Sequence, residues 1–309
     1  MAAGLYRHEP AFTTAIDQVF EAMGRHGGPL RDDWLTDHPR VPLDHVTRSQ
    51  PLLFAVDYAL GRLLHSHGVR PAALLGHSIG ELAAATLAGM FSLADAAALV
   101  LDRVGRLATA PPGGMLAVAA STAELTGYLT DQVVVAAVNA PRQTIVAGPC
   151  AALDGVAARL RGDGFTCRPV PSHSAFHSPM LAPAARGAEA LFGSIQIGLP
   201  AVPVYSGYTA APLGTREARD PAFWARQPVA PVRFWPALDR LLAAGPFTLV
   251  EAGPGQGLSQ IARRHRAVRA GESAVIPLLP ARPASPEADR DLVRAAVAVL
   301  APIRGPVLR

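Results

Sequence analysis

The sequence predicts an α/β fold in which a small unit is inserted into a larger one, and two stretches carry the prediction. The first is Ala72-Ala-Leu-Leu-Gly-His-Ser-Ile-Gly-Glu81, where a short apolar run ends at a glycine-flanked serine and passes straight into a helical pattern reaching Leu87. The second lies between residues 115 and 171, where patterning gives a strand, a helix, two strands, a helix and a strand. That succession, βαββαβ, is the ferredoxin-like split unit. A length of 309 residues, half of them apolar, gives enough chain for one large or two modest domains with a sizeable core.

Composition excludes several function classes. All 28 basic residues are arginine, the net charge is only +4, and no basic block is interleaved with aromatics, so nucleic acid is not an expected partner. A modestly basic surface suits an acidic protein partner instead. No apolar run approaches a membrane span, and Met1–Tyr6 shows neither the basic nor the apolar region of a signal peptide, so a cytoplasmic protein without membrane partners is expected. Cys150 and Cys167 lack metal-ligand spacing and read as buried thiols of a reducing compartment.

Along the chain, apolar residues at helical spacing predict a helix over Phe12–Met23, closed by Gly27-Gly28-Pro29 and followed by a polar connection over Arg31–Pro42. Thr47-Arg-Ser-Gln-Pro51 then leads into a helix over Leu52–Leu64, with Gln50 a solvated turn residue and His65 and His67 on the surface. Next comes the elbow. Gly76-His77-Ser78-Ile79-Gly80 fits the G-x-S-x-G pattern, which places a nucleophilic serine at a sharp strand-to-helix bend. Ser78 is the predicted nucleophile, and the N–H of Ile79, at a helix N-terminus, is the predicted oxyanion donor.

Ser92 and Asp95 form the start signal of a helix running to about Leu107. In it Arg103 falls on the stripe of Ala96, Leu99, Val100 and Leu107, whereas Arg106 pairs with Asp102 on the wet face. An arginine on an apolar stripe needs an anion, either an internal carboxylate or a substrate. Pro111-Pro-Gly-Gly114 marks a break. Beyond it the unit reads as strand Met115–Ala120, helix Thr122–Leu129, strands Val133–Asn139 and Gln143–Gly148, helix Ala151–Arg161 and strand Thr166–Pro171.

Two histidines then lie four apart in Ser172-His173-Ser174-Ala175-Phe176-His177-Ser178-Pro179. No third ligand is near, so no metal is expected; His177 reads as the base for Ser78, and His173 as structural or surface. The last third reads as helix Met180–Phe192, strand Val202–Ser206, a segment Pro221–Leu242 and strand Thr248–Ala252 entering a tight turn at Gly253-Pro-Gly-Gln-Gly257. A final helix capped by Ser285 runs to about Leu300.

Taken together, Gly76-His-Ser-Ile-Gly-Glu81, Arg103, Ala137-Val-Asn-Ala-Pro-Arg142, Ala175-Phe-His-Ser-Pro179, Pro231-Val-Arg-Phe234 and Glu251-Ala-Gly-Pro-Gly255 resemble the malonyl-CoA:acyl-carrier-protein transacylase family. The resemblance covers about Leu5 to Arg264 and rests on the combination of motifs. It implies an α/β-hydrolase-like large subdomain over 1–114 and 180–309, and a ferredoxin-like small subdomain over 115–179. It also implies roles: Ser78 nucleophile, His177 base, Arg103 binding the free carboxylate of a malonyl-type acyl group, with Ser174 and Phe176 at the position that selects the acyl group. His77, Asn139 and Gln227 are supporting residues, Gln227 by fixing the catalytic histidine.

Malonyl-selective modular members carry His-Ala-Phe-His where this chain has Ser174-Ala-Phe-His177. Members begin with a strand and a Gly-Gln-Gly loop whose glutamine N–H is the second oxyanion donor, and Met1 aligns beyond that loop. The loss of one donor costs about 100–1000-fold in turnover, so either the start is truncated or mis-assigned, or another segment compensates. The chain resembles a discrete, trans-acting polyketide synthase acyltransferase of antibiotic biosynthesis. The implied partners are an acyl carrier protein and an acyl-CoA or acyl-carrier donor. No cofactor is implied beyond the phosphopantetheine that arrives on the carrier or as CoA. Alternatives are carrier-to-carrier transfer of an aminoacyl group in macrolactam biosynthesis, a thioester-hydrolysing editing enzyme, and a catalytically silent docking protein.

Overall fold

Helices and short strands are interspersed along the chain, giving a mixed α/β fold. The computed structural model describes residues 1–301; residues 302–309, the end of the expected large-subdomain range, lie outside the described residues. Helices α1 (Pro10–Ala22), α2 (Gly27–Leu35) and α3 (Val46–Ser66) precede strand β1 (Leu74–Leu75) and helices α4 (Ile79–Leu87) and α5 (Leu93–Leu107). Then follow β2 (Gly114–Val118), α6 (Thr122–Leu125), β3 (Val134–Ala140), β4 (Gln143–Gly148), α7 (Cys150–Gly162) and β5 (Cys167–Val170). Next come α8 (Ala182–Ala185), α9 (Ala188–Gly193), β6 (Val204–Ser206), β7 (Ala211–Pro212), α10 (Thr215–Arg219), α11 (Pro221–Ala225) and α12 (Phe234–Leu242). The chain closes with β8 (Thr248–Glu251), α13 (Gly257–Ala262), α14 (Arg266–Arg269), β9 (Ala274–Pro277) and α15 (Pro286–Leu300).

β1 pairs in parallel with β6, β7 adds antiparallel to β6, and β8 and β9 form a separate parallel pair. The middle block makes an antiparallel sheet in the order β3-β4-β2-β5. Both of its faces are covered. Leu116, Val118 and Val146 meet Leu153, Val156 and Leu160 of α7. Their alternate neighbours Ile145 and Ala147 pack with Phe234 and Leu238 of α12. A fully buried side chain of this kind contributes about 1.5–3 kcal/mol, so the sheet is held from both sides. The largest core gathers around α3, whose Phe54, Leu60 and Leu63 lie among Phe12 and Ile16 of α1, Leu82 of α4 and Leu99 of α5.

Several boundaries differ from the sequence expectations. Gly27-Gly28-Pro29 opens α2 where a closing turn and a long connection are expected. Pro29 is tolerated there because first-turn N–H groups have no intrahelical acceptor in any case. α3 starts at Val46, a turn before Pro51, so Gln50 is a half-buried helical residue and not a solvated turn. Arg48 anchors that turn by donating from buried Nη2 to Asp33 O at 2.6 Å and from Nη1 to Val41 O at 2.8 Å. α6 stops at Leu125, ahead of Gly127, instead of running to Leu129. The expected helix Met180–Phe192 breaks at Gly187, whose φ of 81° separates α8 from α9. Cys150 is exposed at the first position of α7, contrary to the buried-thiol reading, and Cys167 is half-buried. β9 had no sequence expectation. No helix among the described residues is long and apolar enough to cross a membrane.

Candidate active site

The elbow is built by sterics. A Cβ on Gly76 would run into the backbone of Glu81, so only glycine lets the chain double back between β1 and α4. Ser78 takes φ 55° and ψ −121°, a sparsely populated conformation that costs about 1–3 kcal/mol. The N–H groups of Gly80 and Glu81 donate to His77 O and Ser78 O, each at 3.0 Å, which holds the bend. Ile79, the first residue of α4, lies in the turn whose N–H groups lack intrahelical acceptors and carry the positive end of the helix dipole.

His177 reaches the elbow from the segment after β5. It too has positive φ, 61°, and is only 5% exposed. Its Nε2 lies 2.8 Å from Ser78 Oγ. Its Nδ1 lies 3.1 Å from Gln227 O and 3.0 Å from Ala230 O. Both of those atoms are acceptors, so Nδ1 carries the proton, Nε2 is the acceptor, and the Ser78 hydroxyl donates to it. The carbonyls are themselves held in place. His177 N–H donates to Pro228 O at 2.8 Å, and Val232 bridges onto β3 through bonds of 2.8 and 2.9 Å. Burial pushes the imidazole down to about 4, helped by His77 and Arg103, while the two carbonyls pull it back up. The imidazole is therefore neutral near pH 7.

Arg103 sits on the buried face of α5, as its place on the apolar stripe requires. Both of its hydrogen bonds leave from Nη2, to Gln227 Oε1 at 3.1 Å and Trp224 O at 3.4 Å. Among the described residues no carboxylate lies within ion-pair distance of it. Its Nε and Nη1 make no hydrogen bond within the described residues. Glu81 lies nearby: its carboxyl oxygens accept from Ser206 Oγ at 2.7 Å, Gly207 N at 2.8 Å and Gln227 Nε2 at 3.3 Å. Burial pushes Glu81 up to about 8, while Ser206, Gly207 and Arg103 pull it down. Gln227 thus links Glu81 to Arg103 through its side chain and meets His177 through its backbone carbonyl. The contact with the histidine is made by the backbone, and the amide is engaged elsewhere.

His77 Nε2 donates to Asn139 Oδ1 at 2.9 Å and ties the elbow to β3. Ser174 is buried, its backbone bonded to Ser172 Oγ, and it makes no hydrogen bond to Arg103. Phe176 packs with Leu107, Leu181 and Val229, its ring centre 6.4 Å from that of His177. His173 is exposed and pairs with Asp44 at 3.3 Å, away from Ser78. Arg106 meets Asp102 at 2.7 Å as its spacing predicts. Among the described residues no group of three or more His, Cys, Asp or Glu could hold a metal ion.

Sequence reasoning missed two neighbours of the dyad. Glu81 was quoted only as part of the motif, and nothing in a helix's first turn distinguishes a buried acid from a dipole-favoured surface one. Tyr208, after β6, gave no periodic signal at all, yet its ring lies 6.1 Å from that of His177.

Comparison with known proteins supplies the family. Residues 1–289 match the family model of the acyl transferase domain. A phenolphthiocerol/phthiocerol polyketide synthase protein of Mycobacterium tuberculosis is 37% identical over 265 residues, which is 86% of this chain and 18% of that one. The chain thus spans less than a fifth of that curated relative. Among solved structures, the acyltransferase domain of the second module of the salinomycin polyketide synthase superposes with a TM-score of 0.84 at 34% identity, covering 95% of this chain and 69% of that one. The acyl transferase domain of SpnD, solved in complex with 2-(pent-4-yn-1-yl)malonyl, gives a TM-score of 0.87 at 29% identity, covering 96% and 71%. A constrained serine held against a histidine, with a family match over nearly the whole chain, places the protein: it belongs to the acyl transferase domain family, with relatives among polyketide synthases.

Proposed function

We propose that the chain transfers an acyl group, malonyl by preference, from a thioester through an acyl-Ser78 to the phosphopantetheine thiol of an acyl carrier protein. Ser78 Oγ attacks the thioester carbonyl as its proton passes to His177 Nε2. The Ile79 N–H receives the oxyanion. The C–S bond then breaks, and His177 returns the proton to the departing thiolate. In the second half His177 takes the proton of the carrier thiol, the thiolate attacks the acyl-serine, and Ser78 leaves reprotonated. The reaction asks the protein for a nucleophile, a base and hydrogen-bond donors; the phosphopantetheine comes with the carrier or as CoA. We place this cytoplasmic chemistry on an α/β-hydrolase-like body, residues 1–114 and 180–309, and a ferredoxin-like unit, residues 115–179, the latter supported by its strand order.

The observation that carries the reading is the 2.8 Å Ser78–His177 contact beside an Arg103 guanidinium with an unengaged edge. A free carboxylate two carbons from the reacting carbonyl suits that edge, and a solved relative holds a substituted malonyl group. The test is intact-protein mass spectrometry after mixing with malonyl-CoA. Native protein should gain one malonyl group on Ser78 and lose it to added carrier protein, and Ser78→Ala should gain none. Malonyl appearing on another residue of Ser78→Ala refutes the assignment.

A further inference from the structure

Tyr208 follows β6 and Gly207, and its backbone N–H donates to Ser206 Oγ at 3.0 Å, the same hydroxyl that donates to Glu81. Its ring is fixed by edge contacts. Phe223 meets it at 6.4 Å and 88°, and Trp224 meets Phe223 at 5.3 Å and 84°. Trp224 in turn supplies a carbonyl to Arg103. The phenol is therefore held in one orientation by the same elements that hold the guanidinium. Its hydroxyl is buried and makes no hydrogen bond of full geometry among the described residues, with Ser78 as a looser side-chain neighbour.

A buried hydroxyl without a well-formed hydrogen bond is unfavourable and uncommon in a folded protein. This one is not remote from chemistry. Burial and Glu81 push its ionisation far up, Arg103 and Ser78 pull it down, and Arg103 in turn feels Tyr208 ahead of Glu81. The phenol is thus a neutral O–H donor at neutral pH, lying among the nucleophile, the guanidinium and the buried carboxylate.

We infer that Tyr208 is a specificity-determining residue whose hydroxyl, together with the free edge of Arg103, binds the terminal carboxylate of the acyl group carried on Ser78. The inference rests on the acyl-transfer reading and deepens it. A carboxylate offers two oxygens and about four acceptor positions, enough for the guanidinium fork and one phenol at once. The thioester carbonyl oxygen is directed instead at Ile79. An acetyl group has no oxygen to give Tyr208, so the hydroxyl discriminates between the two acyl groups. Removing the hydroxyl keeps the ring and its edge contacts.

The experiment compares native protein with Tyr208→Phe, using acylation of Ser78 by malonyl-CoA and by acetyl-CoA, followed by mass spectrometry over a range of donor concentrations. The KM for malonyl-CoA should rise about ten- to hundredfold, the loss expected for a hydrogen bond to a charged acceptor. Acetyl acylation should change less than twofold, and the Tm should change little, since the hydroxyl makes no well-formed internal hydrogen bond. Tyr208→Leu serves as a second variant with the same expected selectivity. An unchanged malonyl KM overturns the inference, and so does an equal fall in kcat for both donors, which would assign the hydroxyl to the oxyanion. Native protein that takes up neither acyl group refutes the acyl-transfer reading itself, an outcome distinct from acylated native protein indifferent to Tyr208→Phe.

Discussion

Acidification is the most direct probe of the dyad. An ordinary histidine titrates near 6.5, whereas His177 is pushed down to about 4. The difference of about 2.5 units corresponds to about 3 kcal/mol against the imidazolium, supplied mainly by burial at 5% exposure. At pH 5 an ordinary histidine is about 3% free base, and one titrating at about 4 is about 90% free base. The expected outcome is that kcat/KM for acetyl-CoA acylation, which reports free enzyme, holds to pH 5 and falls near 4. A neutral donor is the right probe because malonate carries its own carboxylate. With malonyl-CoA the kcat limb should lie higher, because a bound carboxylate cancels the Arg103 charge that helps depress His177. The stability sign runs the same way: with a depressed pKa, the neutral-His177 contribution is full above about 6.5 and is lost as pH falls through about 4. Rapid-quench acylation with circular dichroism at each pH is the assay. A tenfold fall in acetyl kcat/KM between pH 7 and 5, with the protein still folded, refutes the reasoning.

Two further outcomes test how the anion is held. Arg103→Ala should lower malonyl acylation by about 2–5 kcal/mol of transition-state binding, about 30-fold or more, and leave acetyl acylation level or higher; a loss shared by both donors in the same quench assay counts against a carboxylate-binding role. Glu81→Gln turns one acceptor oxygen into a donor against Ser206, Gly207 or Gln227. It should cost about 1–3 kcal/mol of stability by thermal melting and raise malonyl KM as Gln227 releases Arg103, whereas unchanged melting and KM would show that the carboxylate does not position them.

What was legible in the sequence was local. The elbow announced itself because an apolar strand, two glycines and a helix start coincide within ten residues, Ala72 to Glu81. The middle sheet was legible through short apolar runs set between helices in the order βαββαβ, its strands nearly all apolar because both faces are covered. Arg103 was legible because helical periodicity places it among buried positions, whatever its partner. Pro29 and Pro51 misled for a common reason: proline signals a break, but a helix's first turn tolerates it, and packing around Arg48 and Leu52 outweighs it farther in. The carbonyls of Gln227 and Ala230 had no signal, because a backbone acceptor looks the same in every residue.

Those carbonyls explain how charge is divided in the site. A carboxylate on Nδ1 would orient the imidazole but also raise its pKa and place a negative charge next to an incoming anion. Two fixed carbonyl dipoles orient the ring with no net charge, and His177 stays a neutral base. The acid of the site, Glu81, is displaced to the far side of Gln227, where three donors hold it away from the guanidinium. Positive charge is thereby left facing the space beside Ser78, with Tyr208 adding a neutral donor next to it. An acyl group with a terminal carboxylate gains from that arrangement at every contact, whereas an ammonium-bearing aminoacyl group meets Arg103 as a like charge. On the acyl-transfer reading proposed above, selectivity for an anionic acyl group is expected to depend on where the protein puts Glu81 as well as on Arg103.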